Sequence, residues 1–231
     1  MRLDKYLADV LKISRQDAKK LIKNKEITIN NQIDKNLNRT INEETDIVIY
    51  NEQILKYRKY IYLMMNKPSG YLSATFDKKD PTIMELVPKE LYLKDLSIVG
   101  RLDKDTEGLI LLSNNGAFIH DITSPKKHIS KKYYVEYEGC LIENAAELVE
   151  FGMEIDDYTT LPGKLELLGD NKAYITIFEG KFHQVKKMFE KLNTKVIYLK
   201  RVQIGSLTLN DLKVGSVIEL NDEDLKKIKE E

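Results

Sequence analysis

The densest polar segment of the 231-residue chain, Gly100-Arg101-Leu102-Asp103-Lys104-Asp105-Thr106-Glu107-Gly108, lies between two apolar runs. It is entered through Ser97-Ile98-Val99 and left through Leu109-Ile110-Leu111-Leu112, so its charges sit on a loop braced by core strands. Loops carried by rigid strands are where catalytic side chains concentrate, although a mixed-charge loop also serves as plain surface. The chemistry on offer is nucleophilic: an aspartate, with an ordinary pKa of about 3.9, is ionised at neutral pH and attacks carbon without a base to activate it.

A carboxylate enclosed in a pocket loses water and drifts toward its protonated form, so a nucleophilic aspartate needs a fixed cation. In Gly180-Lys181-Phe182-His183-Gln184-Val185-Lys186-Lys187-Met188-Phe189, the spacing of Val185, Met188, Phe189 and Leu192 predicts a helix beginning just after Gly180, with Lys186 in its first turn. Cations are disfavoured at that positive end, so Lys186 and Lys187 imply nearby anions. Glu190, four residues after Lys186, is the local alternative. A third segment, His128-Ile129-Ser130-Lys131-Lys132-Tyr133-Tyr134-Val135-Glu136-Tyr137, runs from basic residues into a strand. Alternation sends Tyr133, Val135 and Tyr137 to one face and Tyr134 and Glu136 to the other. Tyr133 can stack on an extruded base, worth about 1 to 3 kcal/mol, or serve as a core tyrosine with a satisfied hydroxyl.

Other chemistries find little support. The three histidines, His120, His128 and His183, are widely separated, and with Cys140 as the single cysteine no set approaches zinc-ligand spacing; no metal and no cofactor are expected. The glycine-rich nucleotide loops are absent. One cysteine forms no intrachain disulfide, and a charged start, Met1-Arg2-Leu3-Asp4-Lys5, together with the lack of any long apolar run, points to a cytoplasmic protein with no membrane partner. The net charge is zero, but the average hides a gradient: Met1 to Thr40 holds ten basic against five acidic residues, Asp211 to Glu231 four against seven. A polyanion responds to the local patch within about 8 to 10 Å, so a basic N-terminal module can bind phosphates on a neutral chain.

The elements that must position these residues divide into two domains. Leu3, Tyr6, Leu7, Val10 and Leu11 predict an amphipathic helix over 2–11. Ser14, with Asp17 three residues on, predicts the cap of a second helix whose buried stripe is Ala18, Leu21 and Ile22 and whose other face is Arg15, Lys19, Lys20 and Lys23. Glu26 to Asn31 reads as a strand with Ile27 and Ile29 inward, Asn30-Asn31 as a turn and Asp46 to Tyr50 as another strand. This module, residues 1–55, resembles the small RNA-binding domain of the S-four type through Arg2-Leu3-Asp4-Lys5-Tyr6-Leu7, Ser14-Arg15 and Ile27-Thr28-Ile29-Asn30. The resemblance implies that Arg2, Lys5, Arg15, Lys19, Lys20 and Lys23 grip structured RNA by phosphate contacts that position it without reading sequence.

A linker is expected over 56–60 and a second domain over 61–231. Its strands are predicted at Tyr60 to Met65, Ser97 to Val99, Leu109 to Leu112, Tyr133 to Tyr137, Ala173 to Ile177 and Lys195 to Leu199, interleaved with a few helices. The fold class is therefore α+β with a mixed, largely antiparallel sheet.

Together these segments resemble the ribosomal small-subunit pseudouridine synthases, the RsuA family. The likeness runs through Asn66-Lys67-Pro68-Ser69-Gly70-Tyr71, Gly100-Arg101-Leu102-Asp103, Ile122-Thr123-Ser124-Pro125, Lys132-Tyr133, Glu179-Gly180 with His183-Gln184-Val185-Lys186, and Arg201 with Ile204-Gly205. It implies Asp103 as nucleophile, Tyr133 packed on the target base, Lys186 as the cation partnering Asp103, and Arg101 holding or replacing the flipped nucleotide. It also implies that Lys67, Lys132, Lys181, Gln184, Lys187 and Arg201 contact RNA; Lys181 and Lys187 stand where arginine is common, which weakens bidentate phosphate contacts. The implied substrate is 16S ribosomal RNA or a small-subunit assembly intermediate, modified at uridine 516 in the standard numbering; the chain itself is expected to be a monomer. Asp103 attacks either the sugar carbon or the uracil ring, and both routes need an extruded base. A non-enzymatic RNA-binding or assembly factor, and an enzyme acting on large-subunit or transfer RNA, are the competing readings.

Overall fold

The computed structural model describes residues 1–230, which separate into two compact units, the first ending at Lys59 and the second beginning at Tyr60. In the first, helix α1 (Leu3–Leu11) and helix α2 (Arg15–Lys23) pack on a sheet of strands β1 (Ile27–Ile29), β2 (Gln32–Ile33), β3 (Val48–Tyr50) and β4 (Gln53–Leu55), in the order β2-β1-β3-β4. The apolar stripe predicted from spacing forms the core: Leu3, Tyr6, Leu7, Ala18 and Ile22 meet Ile27, Ile29, Ile41 and Val48. Ser14 caps α2, its Oγ accepting from Asp17 N at 3.1 Å and donating to Asp17 Oδ2 at 2.6 Å. Asn30 and Asn31 turn the β1–β2 hairpin with φ of 50° and 64°, the left-handed pair a two-residue hairpin turn requires.

The second unit contains β5 (Tyr62–Lys67), β6 (Ser97–Val99), β7 (Glu107–Ser113), α3 (Gly116–Thr123), β8 (Lys131–Gly139), α4 (Ala145–Phe151), β9 (Glu154–Ile155), β10 (Tyr158–Thr159), β11 (Lys164–Gly169), β12 (Lys172–Ile177), α5 (Gln184–Lys191), β13 (Thr194–Ile204), β14 (Leu207–Thr208), β15 (Val217–Glu219) and α6 (Asp222–Lys227). The main sheet runs β11-β12-β8-β13-β7-β5-β15, with β6 on β7 and β14 on β13. Its pairings are antiparallel except β13 with β7. Strands β5 and β7 are buried on both faces: Leu63, Met65, Ile110 and Leu112 enter one core with α4 and α5, while Met64, Leu109 and Leu111 enter a second with α3. That explains why Leu109 to Leu112 is a continuous apolar run rather than an alternating one. The fold is α+β with a largely antiparallel sheet, as expected.

Several strands differ from expectation at their ends, β5, β7 and β8 each running past the predicted bounds, and two boundaries bear on the site. Strand β13 continues through Lys200 and Arg201 to Ile204, well past Leu199, because these residues pair with β8 and β7 and a lattice of partners overrides their polar character. Helix α5 begins at Gln184, after an irregular turn over 180–183. Among the described residues no helix is long and apolar enough to cross a membrane.

Candidate active site

The polar loop 100–106 closes the hairpin of β6 and β7, and its backbone is held from below by the turn that follows β5. Ser73 Oγ donates to Leu102 O at 2.6 Å and accepts from Leu102 N at 3.1 Å. Gly70 N donates to Lys104 O at 2.8 Å. Lys67 is fully buried and its ammonium donates to the carbonyls of Pro68, Lys104 and Thr106 at 3.0, 3.1 and 2.8 Å. This corrects the expectation that Lys67 contacts RNA: its three donors are taken by the loop it supports and by the neighbouring Pro68 carbonyl. Burial pulls its pKa down to about 8, against the opposing pull of Asp105, Glu107 and Asp103.

Strand register then sets the wall. Gly108 of β7 pairs with Arg201 of β13, which pairs with Tyr133 of β8, which pairs with Ile175 of β12. A Cβ at Gly108 would stand 2.2 Å from Arg201 O, and its φ is +104°, so only glycine lets these strands meet. Arg201 is 1% exposed. Its Nε donates to Leu109 O at 2.7 Å, Nη2 to Gly100 O at 3.0 Å, and Nη1 lies 3.5 Å from the Tyr133 hydroxyl. Arg201 is therefore also corrected from an RNA contact to a strut joining the loop, β7 and the tyrosine. The alternation predicted for β8 holds: Tyr133, Val135 and Tyr137 are buried, Tyr134 and Glu136 half-buried on the other face.

The opposite wall is the turn between β12 and α5. Glu179 Oε1 accepts from Leu161 N at 3.0 Å and from Gln184 Nε2 at 2.9 Å, while Gln184 Oε1 accepts from Lys181 N at 3.0 Å. Gln184 is buried and its amide shapes this turn, at the lining of the same pocket. The turn ends at His183, whose backbone is left-handed with φ 53°. Lys186, in the first turn of α5 as predicted, reaches back across the pocket. Its Nζ is 2.7 and 2.8 Å from the two Asp105 oxygens and 3.4 Å from Asp103 Oδ2. His183 Nε2 stands 3.6 Å from Asp103 Oδ1. The anion implied by a lysine at a helix N-terminus is thus the loop, with Asp105 the tighter partner and Glu190 making no ion pair with it among the described residues. Burial works to raise the Asp105 carboxyl, but the hydrogen bonds and charge of Lys186 outweigh it and hold it below its ordinary value.

Asp103, 28% exposed, borders an open pocket walled by Leu102, Tyr133, Ile177, Val185 and Leu199, with Arg101 exposed at its edge. A carboxylate beside a cation and an imidazole, next to an aromatic and aliphatic wall, suits attack on a carbon attached to a flat, uncharged ring. Within the wall Thr106 Oγ1 is buried and finds no partner among the described residues. No group of three or more His, Cys, Asp or Glu side chains that could hold a metal occurs among them.

The remaining expected RNA contacts are dispersed over the surface. Lys132 pairs with Glu166 at 3.0 Å, Lys187 with Asp156 at 2.6 Å, and Lys181 lies 3.7 Å over the Tyr158 ring. In the first unit Arg2 and Arg15 each approach the buried Asp4 carboxylate at 3.0 Å and Lys19 at 4.0 Å, so the basic face is organised around one internal anion. Burial favours the protonated acid, yet the hydrogen bonds from Arg2 and Arg15 prevail and hold the Asp4 pKa at about 2. Lys20 pairs with Asp17 at 2.7 Å, while Lys5 and Lys23 are exposed. Sequence reasoning missed Asp105, His183 and Lys131. The last shares the buried face of Tyr133, donates to Ile129 O at 3.0 Å, and has its pKa drawn down to about 8 by burial and by Arg201. Signals existed in the alternation of β8 for Lys131, in the polar loop for Asp105 and in the motif His183-Gln184-Val185-Lys186 for His183.

Comparison with known proteins identifies this architecture. Residues 61–191 match the family described as RNA pseudouridylate synthase, and residues 1–47 match the S4 domain. The chain belongs to the RNA pseudouridylate synthase family. This synthase is 39% identical to the uncharacterized RNA pseudouridine synthase YtzG of Bacillus subtilis, over 97% of each chain. It is 36% identical to ribosomal small subunit pseudouridine synthase A of Vibrio cholerae, over 99% of each, and 34% identical to the Escherichia coli K12 protein of that name, over 97% of this chain and 98% of that one. A crystal structure of a pseudouridylate synthase superposes with a TM-score of 0.69 at 35% identity, covering 99% of both chains. The synthase is accordingly an isomerase acting on RNA, with an RNA-binding S4 domain ahead of its catalytic fold.

Proposed function

We propose that this synthase converts one uridine of 16S ribosomal RNA, uridine 516 in the standard numbering, to pseudouridine, with Asp103 as the nucleophile. The full-length similarity to proteins named for the small ribosomal subunit supports the substrate. The observation that carries the chemistry is the Asp103 carboxylate at the pocket edge, 3.4 Å from Lys186 Nζ. The target uridine leaves its stack and lies against Tyr133, at a cost of a few kcal/mol that is least in unpaired RNA. Asp103 attacks the sugar carbon or the uracil ring, the base turns within the pocket, and C5 joins C1′ where N1 was bound; the bond to Asp103 breaks as C5 displaces it from C1′ or, on the ring route, as the ring double bond is restored. Lys186 sets its ammonium against both loop carboxylates, and Arg101, at the rim, holds or replaces the extruded nucleotide. The protein acts as a monomer, with the unit ending at Lys59 docking RNA and the unit beginning at Tyr60 performing the reaction.

The test is carbodiimide mapping of small-subunit RNA and its assembly intermediates, incubated with wild-type protein and with Asp103→Asn. A single new stop at uridine 516 with wild type alone is expected, while the variant keeps its RNA affinity. A stop elsewhere overturns the target, no stop overturns the ribosomal substrate, and modification by the variant overturns the nucleophile.

A further inference from the structure

His183 combines three features that its place as the N-cap of α5 does not require. Its backbone is left-handed, φ 53° and ψ 26°, and its side chain makes no capping hydrogen bond. Its ring is stacked on Phe182, centroids 3.8 Å apart and planes 19° off parallel, although Phe182 is itself 73% exposed and gains little by burial. Its Nε2 is aimed at Asp103 Oδ1 at 3.6 Å, at the edge of the same pocket. A histidine that is not capping, not buried and yet fixed by an exposed aromatic ring beside the reacting carboxylate is placed for work at the site.

The isomerisation has a step that needs such a group. When the C5–C1′ bond forms, C5 carries both its hydrogen and the ribose, and that hydrogen must leave as a proton while N1 gains one. The other polar groups on the pocket are less suited. Lys181, Lys186 and Arg101 are donors only, and the unpartnered Thr106 hydroxyl is no base near neutral pH; both Asp105 oxygens take Lys186; the Gln184 amide shapes its turn; the Tyr133 hydroxyl oxygen accepts from Arg201; Asp103 is the nucleophile. A neutral imidazole accepts a proton near neutral pH.

We propose that His183 is a catalytic base of this reaction, taking the C5 proton from the rejoined base while Phe182 holds its ring in place. This rests on the reading of Asp103 as nucleophile. Nε2 gains the proton, the C–H electron pair restores the ring double bond, N1 takes a proton from solvent in place of the broken N1–C1′ bond, and the imidazolium returns its proton to solvent. Nothing is oxidised or reduced.

The experiment compares full-length wild type, His183→Asn and His183→Gln on small-subunit RNA transcribed with uridine or with 5-deuterouridine. Asparagine adopts the left-handed backbone readily, so its melting temperature should match wild type. The expected result is a fall in kcat of about 10²-fold or more, with KM unchanged. A deuterium isotope effect larger than that of wild type should accompany it, together with partial rescue by imidazole in the buffer. Unchanged kcat overturns the proposal; so does a fall without the isotope effect and rescue, which would make His183 a positioning residue for Asp103. Absence of product with wild type overturns the uridine reading itself and this step with it.

Discussion

Arg201 and Lys67 are cations taken out of water, and each is repaid by carbonyls rather than by phosphate. Arg201 links Leu109 O, Gly100 O and the Tyr133 hydroxyl with one planar fork, a span that the single ammonium of lysine does not cover. Arg201→Lys should therefore lower stability by about 1–3 kcal/mol through unmade buried hydrogen bonds and cut turnover by loosening both Tyr133 and the loop of Asp103. Because Arg201 makes no solvent contact to speak of, the salt dependence of RNA binding should stay as in wild type. Denaturant melts and a salt titration of RNA affinity check this. A shallower salt slope would return Arg201 to the RNA surface, where the resemblance alone had placed it.

At the scale of elements, the site depends on where strands meet. Gly108 allows β7 and β13 to run in parallel at the point where Arg201 crosses, and the same crossing sets the loop of Asp103 beside Tyr133 and the N-terminus of α5. Gly108→Ala puts a methyl group on the Arg201 backbone and forces a residue with a side chain to φ +104°. Backbone offers no flexible end to give way, so a loss of about 3 kcal/mol or more is expected, with activity falling in parallel. Thermal unfolding and product formation would show it; a variant that melts like wild type would mean that β7 and β13 can part without cost. Helix α5 illustrates the converse: its apolar stripe of Val185, Met188, Phe189 and Leu192 is secured in the core, which lets Lys186 face the pocket.

For the whole molecule, the two units each carry their own apolar core, one around Leu3, Ile22 and Val48, the other on both faces of β5 and β7. Tyr57 packs on Tyr6 with ring centroids 5.6 Å apart, which keeps that residue with the first unit and puts a clean cut after Lys59. A chain beginning at Tyr60 is expected to unfold cooperatively. Its KM for RNA should rise about tenfold or more, since the basic residues around Asp4 are lost, while kcat at saturation changes far less. Single-turnover kinetics on the same RNA separate the two quantities. An unchanged KM would refute the division of labour between docking and chemistry.

The sequence by itself determined what depends on neighbours in the chain: the helical stripes of α1, α2 and α5, the Ser14 cap, the Asn30-Asn31 turn, the alternation of β8 and the placing of Lys186 in a first helical turn. These follow from side-chain periodicity and backbone preference, which act over a few residues. The ordered motifs also carried the family, and so the choice of an enzyme over a binding factor. Tertiary structure alone decided the burial of three polar residues. Lys67, Gln184 and Arg201 look like surface residues in any local window, and only the carbonyls brought to them by distant strands and turns make burial favourable. The same holds for Asp105 as the tighter partner of Lys186 and for the imidazole of His183 at Asp103, contacts spanning about eighty residues that no periodicity encodes.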